Sequence, residues 1–270
     1  AGFASVFGTP LAGILFSFEF SNIGRTNYRS IFSCLIAAVL ADVFTRYLGA
    51  PHTHYEIEIV PDLNFVNSAW AVLAGIVFGF GGMAFSLATK YSGVLFSKIQ
   101  YPPLRPLVGG LIFALIVFAF GYDATERFHG LGVEHIVKSF YIDPDVTSYD
   151  FIAKITLTAL ILGAGFKGGE VTPLFFTGAT LGNALSKVIP LPTGLLAGMG
   201  FVAVFAAAAN TPIATILMGI ELFGSESMYY IAIACVTAYL VSGKTSIYKA
   251  QKIGVAKSLE LKNEEDTLIG

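Results

Sequence analysis

Hydrophobic residues along this chain form long uninterrupted runs instead of alternating with polar residues. The longest runs cover residues 30–49, 68–98, 104–121, 151–166 and 227–242. An α-helix advances about 1.5 Å per residue, so roughly 20 apolar residues are needed to cross about 30 Å of hydrocarbon. We predict that these segments are membrane-crossing helices. The 31 residues of 68–98 exceed the requirement and predict a strongly tilted one.

Four further apolar runs are too short to cross a bilayer as helices. They cover residues 10–20, 173–188, 194–208 and 212–223. Helices that stop halfway through the membrane are typical of transporters with a central binding site. The pattern therefore predicts an all-α membrane protein with both tilted and half-spanning helices.

Two of the short runs carry nearly the same sequence, 202 residues apart. "TPLAGILFSFE" at 9–19 and "TPIATILMGIE" at 211–221 share six of eleven residues, and Phe3 and Phe205 continue the register upstream. One repeated offset of this size predicts a duplication of domain scale, with equivalent helices in two halves. Glu19 and Glu221 end the two copies, and their matched positions indicate a structural role.

Basic residues identify the cytoplasmic side of the predicted helices. The loops 50–66 and 122–150 are net acidic, whereas the segment before the first long run, the connection between the second and third long runs, and the tail after residue 243 carry Lys and Arg. Because cytoplasmic loops carry an excess of Lys and Arg, we expect the basic segments and the C-terminus to be cytoplasmic. The basic residues are Arg25, Arg29, Lys98, Arg105, Lys244, Lys249, Lys252, Lys257 and Lys262.

Composition agrees with a membrane location and excludes one class of partner. Of the 270 residues, 55% are hydrophobic and 13% are charged, with a mean hydropathy of +0.72. Soluble domains carry about 25% charged residues. A net charge of −2 offers no basic surface for nucleic acid. Cys34 and Cys235 lie in apolar segments and are interpreted as core residues.

The first residues lack a Met, a basic leader and a cleavage site, so we expect the chain to open in mid-structure without a signal peptide. With the 202-residue offset, the first-half counterpart of residue 170 is expected upstream of Ala1. From about residue 254 the sequence turns polar, which predicts a solvated tail.

Three Thr-Pro pairs precede apolar runs, at residues 9–10, 172–173 and 211–212. Thr is a good N-cap, and Pro suits the first helical position, where an N–H has no partner. Each pair therefore predicts a helix start. Glycines four residues apart, at 75 and 79 and at 178 and 182, predict close helix packing.

The pair at 172–173 follows a glycine-rich break in "GAGFKGGEVTPLFFTGATLGN". Irregular backbone at membrane depth survives only where it lines a cavity or is buried in protein. A helix that starts there presents unpaired N–H groups and a positive dipole end, which together favour an anion. The sequence therefore predicts an anion site at the start of this helix, next to Glu170.

These motifs resemble the CLC superfamily of anion channels and proton-coupled antiporters. "GFKGGEVTP" is similar to its "GGxFxP" signature and "FGTPLAGILFSFE" to its "NAPLAGILFxxE" segment, and the "GK" at 243–244 and Tyr248 fit its spacing. The resemblance covers about residues 1–252. It implies an inverted-repeat fold, with 1–66 ending the first repeat, 67–243 forming the second and 244–270 forming a cytoplasmic helix and tail.

One departure from the chloride-handling pattern is similar to the fluoride-exporting clade. Glu170, Val171 and Thr172 stand where chloride-handling members have a bulky apolar residue, Phe and the residue before Pro. Fluoride needs hard donors, which the Thr172 hydroxyl, the N–H groups of 170 and 171 and the Tyr248 hydroxyl supply. A buried, protonated Glu170 would donate to the ion and carry a proton.

Alternatives stay open for these residues. Glu170 beside Lys167 would also suit a solvated ion pair, and a Tyr after the last span is commonly an interfacial anchor. Proton-coupled relatives often carry a second glutamate where this chain has Phe20, which leaves Glu170 or water to move the proton. The resemblance places the outer gating glutamate of the "GxEG" motif upstream of Ala1.

Other ionisable residues predict structural roles. Asp42 and Arg46, four apart in an apolar helix, predict an internal ion pair. No nucleophile and base converge, so neither an enzyme nor a cofactor is indicated. Histidines and one neighbouring acid lack a third ligand at metal-binding spacing and are interpreted as loop residues: His52, His54, His129, Glu134 and His135.

The resemblance implies a homodimer in a prokaryotic inner membrane, with one pore per subunit that exports fluoride in exchange for protons. The expected partners of such a protein are a fluoride or chloride ion, a proton and the lipid bilayer. The rival interpretations are a chloride channel or chloride/proton exchanger of the same fold, and a fragment that does not transport.

Overall fold

The structure is a computed structural model that describes residues 1–20, 22–23, 31–248 and 251–253. The regular structure of the described residues is helical, as predicted, apart from an unpredicted parallel pair of strands, β1 (Asn22–Ile23) and β2 (Lys252–Ile253). A 3-10 turn covers Glu126–Phe128. The helices are α1 Gly2–Phe7, α2 Pro10–Glu19, α3 Ile31–Tyr47, α4 Phe65–Ser97, α5 Leu104–Phe120, α6 Tyr122–Thr125, α7 Val133–Lys138, α8 Asp150–Gly163, α9 Val171–Leu185, α10 Thr193–Ala209, α11 Pro212–Phe223 and α12 Met228–Val241.

Helix lengths correct the prediction of five full spans. Within the described ranges only α4, with 33 residues and a mean hydropathy of 2.0, is long and apolar enough to cross a membrane alone. Helix α5 qualifies only together with the segment Tyr122–Phe128, from which a 114° bend separates it. Helices α8 and α12 have 14 residues each, about 21 Å. Glycines with positive φ follow them, Gly165 at +97° and Gly243 at +58°.

Helices α9 and α10 form the centre of the molecule and cross at glycines. All residues from 195 to 209 of α10 are buried. A Cβ at Gly178 would overlap the carbonyl oxygen of Gly200, and one at Gly182 would overlap that of Leu196. The predicted close packing at these two glycines is confirmed.

Two glycines of α4 likewise allow close packing, in this case against α12. A Cβ at Gly75 would lie 2.8 Å from Cβ of Thr237, and one at Gly79 would lie 2.9 Å from the carbonyl oxygen of Ala238. Both distances are too short for a real side chain. The prediction of close packing at Gly75 and Gly79 is therefore also confirmed.

The two sequence copies fold alike and lie against each other. Gly8 and Asn210, which end α1 and α10, both adopt the left-handed conformation, with φ of 68° and 60°. The following residues, Thr9 and Thr211, have φ, ψ of −120°, 71° and −128°, 63°. The rings of Phe3 and Phe205 stack at 5.9 Å. The predicted equivalence of the two helix starts is confirmed.

Glutamates, and not threonines, cap these two helices. The hydroxyls of Thr9 and Thr211 are fully buried and accept no capping bond, so their predicted capping role was wrong. The Glu221 carboxylate instead accepts the N–H groups of Leu11 and Ala12, and Glu19 does the same at the start of α11. The predicted structural role of Glu19 and Glu221 is confirmed, and α2 and α11 run antiparallel.

The C-terminal segment departs from the expected helix where it is described. Residues 244–248 are not helical, and 252–253 form β2. The remainder of the expected helix and tail, the lysines at 249, 257 and 262, and the loop residues Arg25 and Arg29 lie outside the described residues. The proposed division of the repeats stays a prediction, and α4 begins at Phe65.

Candidate functional site

The glycine-rich stretch separates two helices, as predicted. Helix α8 ends at Gly163, and residues 164–170 are not helical before α9 begins at Val171. Gly165 has a φ of +97°, a conformation that side-chain-bearing residues rarely adopt. Residues 168–173 therefore do not lie within one continuous helix.

Helix α9 begins two residues earlier than the Thr-Pro pattern predicted. Glu170 is the N-cap residue, and Val171, Thr172 and Pro173 are the first three helical residues. Pro is accommodated there because N–H groups in the first turn have no intrahelical acceptor. Thr172 thus lies inside the first turn, half-buried, and not at the cap.

In the part of the chain that the structure describes, no side chain caps the N-terminus of α9, whereas glutamates cap those of α2 and α11. Its first-turn N–H groups point out of the helix beside a positive dipole end. Among the described residues, no hydrogen bond engages the Thr172 hydroxyl, so it adds a further donor in the same turn. These are the groups of the predicted anion site, which stays a prediction.

Tyr248 lies in the segment after α12. Burial raises the pKa of the Tyr248 phenol, and the negative charge of Glu170 raises it further. The ring meets Phe16 and Phe20 edge-on, with centroid distances of 6.2 and 5.9 Å. Tyr248 and Val171 pack against the same core cluster. The role of Tyr248 in binding stays a prediction.

A buried carboxylate behind α9 was missed in the sequence. Asp150 is fully buried at the start of α8, and its Oδ2 lies 2.8 Å from Nε2 of His135 and 2.7 Å from the donating N–H of Thr147. Arg127 lies 3.5 Å from the other oxygen. The spacing "TSYD" at 147–150, a helix-start signature, was the available signal.

The interpretation of His135 as a loop residue was wrong. His135 lies on α7, only 5% exposed, and its ring stacks on Phe176 of α9 at 5.3 Å. Lys154, also buried, lies 4.9 Å from the centroid of the same ring and donates to the carbonyls of Phe128 and Gly130. These contacts hold α9 against α7 and α8.

Other charged residues differ in their contacts and exposure. Asp42 and Arg46 form the predicted ion pair, at 2.9 Å. Lys167 is exposed. Glu134 lies on α7 and pairs with Lys138 at 3.2 Å, so it is not a loop residue either. Within the described part of the chain, no three His, Cys, Asp or Glu residues are grouped to hold a metal ion.

Comparison with known sequences points to one family. The model of the voltage gated chloride channel family matches residues 1–243. A chloride/fluoride channel protein of Pseudomonas syringae pv. tomato is 51% identical over 261 residues, which cover 95% of this chain and 57% of that protein. The voltage-gated ClC-type chloride channel ClcB of Salmonella typhimurium is 29% identical over 256 residues, 90% of this chain and 60% of its own.

Solved structures agree with these sequence matches. The crystal structure of a CLC-type fluoride/proton antiporter superposes with a TM-score of 0.88 at 34% identity, covering 93% of this chain and 63% of its own. A slow cyanobacterial Cl⁻/H⁺ antiporter shares the fold, with a TM-score of 0.70 at 21% identity, covering 89% and 59%. The chain spans about three fifths of the length of these relatives, and it belongs to the voltage-gated chloride channel, or CLC, family.

Proposed function

We propose that the protein carrying this chain transports halide ions through a membrane, exporting fluoride in exchange for protons. The observation that carries the proposal is the uncapped N-terminus of α9. In α2 and α11 a glutamate carboxylate accepts the N–H groups of the second and third helical residues. The third residue of α9 is Pro173, which has no N–H, but no side chain among the described residues caps the N–H groups of Val171 and Thr172. The names of the relatives identify halides as the class of anion.

Three kinds of donor form the halide site. The N–H groups of residues 170 and 171 lie at the start of α9, the Thr172 hydroxyl lies in its first turn, and Tyr248, in the segment after α12, supplies a further hydroxyl. Fluoride is small and strongly hydrated, so its dehydration requires hard N–H and O–H donors of this kind. An exchange of Thr172 for an apolar residue removes one of them.

Glu170 couples the anion to the proton. As a neutral acid, the side chain donates its O–H to the halide; as a carboxylate, it repels the halide. Gain of a proton therefore favours halide binding, and loss of the proton favours halide release.

Phe20 supports Glu170 as the proton carrier. Proton-coupled relatives often have a glutamate here, whereas Phe20 stacks on Phe16 at 5.7 Å and meets Tyr248 edge-on. An aromatic ring cannot transfer a proton, so the cytoplasmic part of the route requires water or Glu170 itself.

We also propose that the protein forms a homodimer with one pore per subunit and lies in a prokaryotic inner membrane with its C-terminus inside. The acidic loop that includes Glu56, Glu58 and Asp62 then faces out, in agreement with the positive-inside rule.

The alternative function is a chloride channel or chloride/proton exchanger, which the chloride names of the ClcB relatives favour.

Ion-selective electrodes test the proposal on vesicles containing the full-length protein. We expect fluoride to leave faster than chloride, with proton uptake that Glu170→Gln abolishes because glutamine cannot exchange a proton. Glu226→Gln, an exposed loop change, is the matched control and should behave as wild type. Equal chloride release together with a silent Glu170→Gln would contradict both the fluoride assignment and the role of Glu170.

A further inference from the structure

A glutamine beyond the last helix is buried and fully hydrogen-bonded. Gln251 is 1% exposed, and its Nε2 donates to the carbonyls of Phe20 and Ala209, both at 2.9 Å. Its Oε1 accepts from Nδ2 of Asn210 at 2.8 Å and from Oγ of Ser246 at 2.7 Å. Two donors and two acceptor positions are thus all used, the maximum for an amide side chain.

The network around Gln251 holds the backbone of Tyr248 from both sides. Ser246 Oγ, which donates to Gln251, also accepts the N–H of Tyr248 at 3.0 Å. The N–H of Gln251 donates to the carbonyl of Tyr248 at 3.1 Å. Tyr248 therefore has its N–H and its carbonyl bound to partners that Gln251 fixes or supplies.

The same amide also holds one of the rings against which Tyr248 packs. The Phe20 carbonyl accepts from Gln251, and the Phe20 ring meets the Tyr248 ring edge-on at 5.9 Å. Asn210, the second amide of the network, donates to the carbonyl of Thr245, and the N–H of Ile247 donates to Ala208. The end of α2, the end of α10 and the Tyr248 segment are thereby joined at one side chain.

We propose that Gln251 is a positioning residue that sets halide discrimination by fixing the Tyr248 hydroxyl. This inference rests on the proposed function, in which that hydroxyl is a halide donor. A donor must be held to within a fraction of an ångström to distinguish a small ion from a larger one, and buried hydrogen-bond partners supply that rigidity. Loss of the Gln251 amide releases both the Tyr248 backbone and the Phe20 carbonyl.

The test compares the ratio of fluoride to chloride release in vesicles containing the full-length protein. We expect Gln251→Ala to lower the ratio about tenfold. Tyr248→Phe should lower it by a similar factor, and the double variant should be no worse than Tyr248→Phe alone, because Gln251 acts through Tyr248. Gln100→Ala, at an exposed glutamine, is the matched control and should leave the ratio unchanged.

A second variant keeps the test decisive if Gln251→Ala does not yield monodisperse protein. Ser246→Ala removes one donor to Gln251 and the acceptor of the Tyr248 N–H, and we expect a shift in the same direction of about threefold. A lower melting temperature with an unchanged ratio would overturn the proposal, as would effects of Gln251→Ala and Tyr248→Phe that multiply in the double variant.

The wild-type ratio separates this proposal from the proposed function. A wild type that releases chloride faster than fluoride contradicts fluoride export. Gln251 is judged by the change in the ratio between variant and wild type, whichever halide is preferred. The two proposals therefore fail through different measurements.

Discussion

Glu19 and Glu221 exchange caps between the two sequence copies. Glu19, at the end of α2, accepts the N–H groups of Ile213 and Ala214 at 3.1 and 2.6 Å, and Glu221, at the end of α11, accepts those of Leu11 and Ala12 at 2.9 and 2.8 Å. Each carboxylate also lies at the positive dipole end of the other helix. The two copies therefore cap each other, whereas no side chain among the described residues caps the N–H groups of Val171 and Thr172 at the start of α9.

Loss of one of these caps should destabilise the protein. Glu221→Gln keeps the shape but replaces one acceptor oxygen with an NH₂ group that faces a backbone N–H. We expect the free energy of unfolding to fall by about 1 kcal/mol, and Glu19→Gln should have a similar effect because the two sites are equivalent. The measurement is the melting temperature in detergent, with the exposed Glu226→Gln as the control. Unchanged melting in both cap variants would contradict the capping role.

Thr172→Val tests the hydroxyl in the first turn of α9. Valine matches the shape of threonine and removes only the O–H donor. A hydrogen bond to an ion contributes about 1.5–3 kcal/mol, so we expect fluoride affinity to fall between about tenfold and a hundredfold. Isothermal titration with fluoride measures the effect. Thr156→Val, at an exposed threonine of α8, is the control, and equal affinities for the two variants would argue against a Thr172 contact.

Gly178→Ala should damage the crossing of α9 and α10. The added Cβ would overlap the carbonyl oxygen of Gly200, so the helices must separate, and overpacking of this kind costs about 1–3 kcal/mol. Gly93→Ala on α4 meets no atom within 4 Å and should be neutral or slightly stabilising, because alanine favours helix. Melting temperatures of the two variants give the comparison, and a Gly178→Ala protein as stable as Gly93→Ala would refute the close crossing.

Asp150→Asn tests the buried carboxylate behind α9. Asparagine keeps the size of the side chain, but it cannot satisfy His135, Thr147 and Arg127 together as an anion does. Removing one member of a buried charged network costs about 3 kcal/mol or more, so we expect a large loss of thermal stability. Asp145→Asn, at an exposed position, serves as the control in the same melting experiment. Similar melting of both variants would show that the network adds little.

Local patterns were sufficient to locate several elements. The shared "TP" and final Glu of the two copies located equivalent helices, and four glycines between residues 163 and 169 located the break before α9. Helix lengths were less predictable. The hydrophobic run 227–242 suggested a full span, but α12 has 14 residues, since apolar composition does not reveal where the backbone stops being helical.

Residues that act through distant partners gave little or no local signal. Gln251 lies in a polar stretch after the last helix, and its four partners come from three separate segments. His135 looked like a loop residue because nothing nearby in the sequence indicates that it packs on Phe176. Burial of a polar side chain depends on the elements that fold over it, and those elements are 40 or more residues away.

The sequence by itself determined the hydrophobic helical architecture, the duplication and the broken backbone before α9, because each depends on residue type and spacing along one segment. It did not decide which of the three Thr-Pro helices keeps its amides available. In α2 and α11 the caps come from glutamates about 200 residues away, which only the packing of the two copies brings into contact. The tertiary structure therefore decided that, among the described residues, the start of α9 lacks the glutamate cap that α2 and α11 have, and the proposed anion site rests on this difference.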